Sequence, residues 1–212
     1  MGLLLNLVIL AALIAAAAWW YYRGRHMGSF AQAIGMAPAI PEAKPQGAIP
    51  MLKMPTAKGW EPGEKPDVAA GLKVTPFALN LKHPRWAYVL PNGDVLIAES
   101  AGIPGTPKNV RDYAMNRVMA RAGATRPSAN QITLLRDADG DGVPEVREVF
   151  MIGLNQPFGM ALVGDQLYIG NTDAVVAFPY ETGQTRITAA GRTLMTMKPG
   201  GHWTRNLLAS VD

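Results

Sequence analysis

Leu154-Asn-Gln-Pro-Phe-Gly-Met-Ala-Leu-Val-Gly-Asp-Gln-Leu-Tyr-Ile-Gly-Asn171 repeats the pattern of Leu81-Lys-His-Pro-Arg-Trp-Ala-Tyr-Val-Leu-Pro-Asn-Gly-Asp-Val-Leu-Ile-Ala-Glu99. Pro84 aligns with Pro157 at an offset of 73, falling to 72 after a one-residue gap. In each copy two short apolar runs flank a turn, and Asn92-Gly93 tolerates the positive φ that a tight hairpin requires. A hairpin recurring at such a spacing is the signature of radially repeated sheets. Further β-rich runs at 132–135, 146–151 and 174–180 supply the remaining strands. Residues 71–212 therefore read as the N-terminal part of a β-propeller, with about two blades and the start of a third.

Upstream of the repeat the composition changes twice. Residues 3–22 are apolar except for Asn6, long enough at ~1.5 Å per residue to cross a ~30 Å hydrocarbon core, and they end in Trp19, Trp20, Tyr21 and Tyr22. The run is longer than a signal-peptide core and has bulky aromatics where small residues precede a cleavage site, so residues 1–26 are expected to form an uncleaved transmembrane anchor. Arg23 and Arg25 follow the run, which by the positive-inside rule favours a cytoplasmic remainder. Residues 27–70 read as a Pro-rich linker: eight prolines fall between Pro38 and Pro76 without a sustained apolar period.

Two segments interrupt the strands. Met115, Val118, Met119 and Ala122 recur at helical spacing among Arg111, Arg117 and Arg121, which predicts a short basic helix with a solvated face. Asp137-Ala-Asp139-Gly-Asp141-Gly142-Val-Pro-Glu145-Val-Arg-Glu148 matches a twelve-residue calcium loop, with carboxylates at positions 1, 3, 5 and 12. Asp137, Asp139, Asp141, the Val143 carbonyl and Glu148 are the expected Ca²⁺ ligands. Strand-like flanks point to a calcium-stapled hairpin rather than an EF-hand; the other reading is a solvated acidic turn whose Asp side chains cap local amides.

The chain has 212 residues, net charge +4 and no Cys, which excludes disulfides, thiolate nucleophiles and Cys-ligated zinc. Its cations are dispersed and no nucleic-acid module is present, so no nucleic-acid partner is expected.

His83-Pro-Arg-Trp86, the hairpin to Ser100, Pro127-Ser-Ala-Asn-Gln-Ile-Thr-Leu-Leu-Arg-Asp-Ala-Asp-Gly-Asp-Gly142, Leu154-Asn-Gln-Pro-Phe-Gly-Met-Ala-Leu162 and His202-Trp-Thr-Arg-Asn206 together resemble the sorbosone dehydrogenase family. That family is similar to the soluble quinoprotein glucose and aldose dehydrogenases. The resemblance covers residues 71–212. It implies an all-β fold, a six-bladed β-propeller of which this chain carries about the first two to three blades, preceded by the transmembrane helix.

It also implies pyrroloquinoline quinone (PQQ) and Ca²⁺ as cofactors, and oxidation of a sugar or sugar-derived alcohol or aldehyde by hydride transfer to the quinone. His202 is then the base that takes the hydroxyl proton, imidazole being suited to that role near neutral pH. Arg205 and Asn206 would meet the cofactor's carboxylates, and Glu99 would face the axis. Family members are about twice as long, so the chain is expected to be a fragment, inactive alone. The implied partners are a sugar-like substrate and a respiratory electron acceptor. The implied place is the bacterial inner membrane, with the propeller in the periplasm against the vote of the two arginines. The alternatives are a non-catalytic, calcium-stabilised binding propeller anchored at the membrane and, ranked last, a lactonase-type propeller.

Overall fold

The computed structural model describes residues 2–22, 30–40, 56–102, 105–124, 126–199 and 202–210. Contacts divide the chain into two compact units, Met1–Lys53 and Met54–Asp212.

The first unit contains α1 (Gly2–Tyr22) and the four-residue α2 (Phe30–Ala33). Leu4, Leu7, Val8, Leu10, Ile14, Trp19 and Trp20 of α1 are all exposed. Among the described residues no helix is long and apolar enough to cross a membrane. The expected transmembrane helix is thereby corrected, and with it the inner-membrane, periplasm-facing placement built on it. Arg23 and Arg25 lie outside the described residues.

The second unit holds two antiparallel sheets of four strands each, both simple meanders. Sheet 1 runs β1 (Pro84–Val89), β2 (Val95–Glu99), β3 (Gln131–Arg136) and β4 (Val146–Met151). Sheet 2 runs β5 (Met160–Val163), β6 (Gln166–Gly170), β7 (Ala174–Pro179) and β8 (Arg192–Thr196). The repeat seen in the sequence is thus β1–β2 and β5–β6, with Ile97 opposite Ala87 and Ile169 opposite Met160. Gly93 sits at φ 90° in the first hairpin turn, as the Asn-Gly pair foretold.

Period-two alternation puts Leu96, Ala98, Ile132, Leu134 and Phe150 of sheet 1, and Met160, Leu167, Ile169 and Phe178 of sheet 2, in one buried cluster. A polar strut joins the sheets as well: the Leu162 N–H donates to the Tyr88 hydroxyl at 2.9 Å. At the far end Asp94 is clamped by Arg136 through Nε at 2.6 Å and Nη2 at 2.7 Å, and Arg136 also reaches the Gly183 carbonyl of the β7–β8 connection at 2.9 Å.

The expected architecture is corrected in one further respect and met in another. The short basic helix expected between β2 and β3 is α3 (Val110–Arg121). Asn109 caps it, its Oδ1 accepting from the Asp112 N–H at 2.8 Å, as a helix N-terminus favours. The described residues form two complete sheets, without the start of a third. Residues 202–210, read as the opening of a further blade, form no strand and instead run over sheet 2. The chain before β1 is tacked down by arginines: Arg147 donates to the Leu79 and Asn80 carbonyls, and Arg121 to Thr56 Oγ1.

Candidate functional site

Both meanders place the starts of their first and third strands, and the ends of their second and fourth, at the same end. Three non-glycine residues there adopt left-handed backbone: His83 (φ 61°), Asn130 (φ 52°) and Gln156 (φ 49°). Such conformations persist where surrounding structure fixes them. Here the fixing groups are visible. Asn130 Oδ1 accepts from Ser128 Oγ at 2.6 Å and from the Gln156 N–H at 3.1 Å, Gln156 Nε2 donates to the Ala101 carbonyl at 2.8 Å, and Ser100 Oγ donates to the Pro157 carbonyl at 2.6 Å. This network ties the rim of sheet 1 to the loop that leads into sheet 2.

His202 to Asn206 is seated on that rim by three glycines. A Cβ on Gly159 would lie 2.7 Å from the Arg205 carbonyl oxygen and from Asn206 Cα, and one on Gly170 would lie 2.5 Å from that same oxygen. The Gly159 N–H donates to the Arg205 carbonyl at 2.9 Å. At Gly102 a Cβ would come within 3.1 Å of Trp203 Nε1. The Trp203 ring also meets the Arg85 guanidinium, 5.2 Å from its centroid, a cation–π contact. His202, Trp203, Arg205 and Arg85 therefore share one rim, built from both sheets.

Arg205 turns its guanidinium to backbone carbonyls, those of His202, Thr204 (3.4 Å) and Lys198 (3.5 Å). Each of these acceptors is neutral. Asn206 spends its Oδ1 on the Leu207 N–H at 3.0 Å. Glu99 is 1% exposed and accepts from the Lys82 N–H, from Thr133 Oγ1 and from Gln131 Nε2 at 2.9 Å. Its two oxygens are committed to the interior of sheet 1.

The acidic loop forms a separate cluster between β3 and β4. Carboxylate oxygens of Asp137, Asp139, Asp141 and Glu145 lie within 4.8 Å of one another, an arrangement that can hold a metal ion. They also accept local amides: Asp137 takes the Gly140 and Gly142 N–H groups at 2.8 Å, Asp141 takes Val143 N–H at 2.8 Å, and Glu145 takes Ala138 N–H at 2.7 Å. Glu148 is not brought to the cluster. Strand β4 begins at Val146, and Glu148 pairs across the surface with Arg186 at 3.6 Å.

The seating glycines, the pairing of Arg85 with Trp203 and the place of Glu145 in the acidic cluster were not foreseen from the sequence. One signal was available for the first: the aligned copies differ at Trp86/Gly159 and Ala98/Gly170, where side chains in one copy give way to none in the other.

No protein-family model matches the chain, and no characterised protein matches its sequence. Among solved structures, the holo form of the pyranose dehydrogenase PQQ domain from Coprinopsis cinerea is similar at 19% identity and a TM-score of 0.46. The overlap covers 66% of this chain and 28% of that one, so this chain spans little more than a quarter of the protein it matches. A likeness at that level leaves the chemistry to be argued from the residues.

Proposed function

We propose that the chain is part of a quinoprotein oxidoreductase of the sorbosone dehydrogenase kind, acting on a sugar or a sugar-derived alcohol or aldehyde. The observation that carries this reading is the seating of His202 and Arg205 together on the rim shared by both sheets, beside Arg85 and Trp203. Among the described residues the Arg205 and Arg85 guanidinium groups have no carboxylate partner, and His202 adjoins Trp203 in the chain, which suits a polyanionic redox cofactor and a hydroxylated substrate.

The residues fit PQQ in one respect that matters. Arg205 holds only neutral carbonyls, and Arg85 lies over an aromatic ring, so each can exchange its present contact for a carboxylate. When bound, the quinone supplies the hydride acceptor. His202 would take the proton of the substrate hydroxyl, Arg205 would hold the cofactor's carboxylates, and the Trp203 ring would shield one side of the rim from water. Ca²⁺ has its residues in Asp137, Asp139, Asp141 and Glu145, where it would staple the β3–β4 turn.

Titrating the full chain with PQQ in the presence of Ca²⁺, while following tryptophan fluorescence, tests this. Expected is saturable binding, weakened about tenfold or more in Arg205→Ala (one lost charge-assisted contact). Absence of saturable binding overturns the reading. The acidic cluster favours a second one, a non-catalytic, calcium-stabilised binding module: it is chosen if Ca²⁺ raises Tm and the quinone changes nothing.

A further inference from the structure

We propose that the β6–β7 turn is a subsite for the hydroxyl groups of a polyhydroxylated ligand, with Asn171 Oδ1 and Thr172 Oγ1 as its acceptors. The identity of the ligand as a sugar rests on the oxidoreductase reading; the polar site itself rests on geometry.

Asn171 and Thr172 follow β6 and are 6% and 3% exposed, yet neither side-chain oxygen has a hydrogen-bond partner among the described residues. Buried polar atoms are almost always paired, with protein, water or ligand. The rest of the turn obeys that rule. Asn171 N–H donates to the Ala174 carbonyl at 2.8 Å, Thr172 N–H to the Asn155 carbonyl at 3.0 Å, Met197 N–H to the Asp173 carbonyl at 2.6 Å, and Asn155 Nδ2 to Asp173 Oδ2 at 2.8 Å. Only the two side-chain oxygens are left over.

The internal repeat shows what is missing. Asn171 and Thr172 are the counterparts of Glu99 and Ser100, and in sheet 1 both are satisfied. Glu99 takes its side-chain donors from Gln131, directly opposite it, and from Thr133, opposite Ile97. The matching places in sheet 2 hold Ala174, beside Asn171, and Val176, opposite Ile169. Two donors of sheet 1 are replaced by side chains that have none. The acceptors are uncharged and adjacent in sequence, which suits neighbouring hydroxyls rather than a cation or an anion.

The turn also lies where a rim ligand would need it. Gly170, just before it, is covered by Arg205, and Arg205 Nη2 reaches Lys198, which follows the Met197 bonded to Asp173. Both oxygens are closed off from solvent in the ligand-free structure. A ligand meets them when the covering chain moves aside, and the 202–206 segment is bonded to sheet 2 through the Gly159 N–H and the Arg205 carbonyl.

The test uses the full chain without quinone, with D-glucose as the probe and cyclohexanol as a hydroxyl-poor control, read by calorimetric titration and by Tm. D-Glucose is expected to bind and cyclohexanol not to. Thr172→Val is expected to leave the ligand-free Tm unchanged or higher, because an unpaired hydroxyl becomes a methyl, and to weaken D-glucose about tenfold or more. Asn171→Leu, which also removes an acceptor at similar volume, carries the same expectation should Thr172→Val fail to fold. A fall in ligand-free Tm by several degrees in both variants means that water or protein already satisfies these atoms, and overturns the proposal. So does D-glucose binding that is absent from the unmutated chain or unaltered in the variants. Sugar binding lost in the variants while the quinone fails to bind leaves the subsite standing and sinks only the oxidoreductase reading.

Discussion

The ends of β2 and β6 occupy equivalent places in two copies of one hairpin, but they are finished in opposite ways. In sheet 1 a buried carboxylate collects three donors, and the serine after it latches the Pro157 carbonyl of the loop leading to sheet 2. In sheet 2 an amide oxygen and a hydroxyl are buried without a partner among the described residues. The backbone pairing is the same; the difference is made by two residues on the neighbouring strand, Gln131 and Thr133 against Ala174 and Val176. One end is closed by its own sheet and acts as a foundation. The other is left open toward the rim that carries His202.

The contrast breaks most readily at Glu99. Glu99→Ala should cost about 3 kcal/mol, since it deprives the buried Thr133 hydroxyl, the half-buried Gln131 amide and the Lys82 N–H of their acceptor, measured as a shift of the urea midpoint. At the sheet 2 counterpart, Asn171→Leu should change stability by only about 0.5 kcal/mol, so that equal losses at the two positions would abolish the distinction between closed and open ends.

Next in size is the clamp at the opposite end of sheet 1. The Arg136 guanidinium hydrogen-bonded to Asp94 holds that carboxyl below the usual carboxylate range, with Asn92 helping and burial opposing. A lowered folded pKa contributes stability above the ordinary carboxylate value of ~3.9, and that contribution is lost as pH falls through the folded value. Asp94→Asn should therefore cost about 2 kcal/mol at pH 7 and flatten the decline in stability below pH ~4, seen by comparing urea midpoints at the two pH values. A decline as steep in the variant as in the parent would remove Asp94 from the acid response. The aligned residue in sheet 2, Gln166, bonds only to its neighbour Asp165, so Gln166→Ala should show no such pH dependence.

Smaller still is the exchange of the seating positions. Gly170→Ala puts a methyl 2.5 Å from the Arg205 carbonyl, an overpacking worth about 1–3 kcal/mol, and should expose the chain after Arg205 to faster tryptic cleavage. Ala98→Gly at the matching place in sheet 1 should cost about 1 kcal/mol with no change in cleavage there.

Much of this was legible in the residues. The repeated hairpin and its Asn-Gly turn are local patterns, and both meanders follow from them. The acidic loop was found because its spacing is short-range, but its last ligand was misplaced: position 12 of the pattern falls on Glu148, and the onset of β4 at Val146 carries that side chain to Arg186 and leaves Glu145 in the cluster. Glu99 looked like an acid at a strand end facing the axis, because its partners Gln131 and Thr133 lie far along the chain, beyond the helical insertion. The third blade was read from the motif around His202, which in the structure is not the beginning of a sheet but a strap laid over glycines. Apolarity of residues 3–22 was legible too, although it does not by itself make a span among the described residues.

The insertion that holds α3 also sets the order in which the two sheets can assemble. Every connection in sheet 2 is short, the longest being residues 180–191, whereas β2 and β3 are separated by residues 100–130. Longer closures are slower and carry a greater entropic cost, so sheet 2 completes its meander first while sheet 1 waits as two separate hairpins. The Tyr88 hydroxyl, accepting from Leu162, gives the β1–β2 hairpin a docking point on the finished sheet, and β3–β4 then closes against a surface already in place. The later copy of the repeat thus serves as the template on which the earlier one folds.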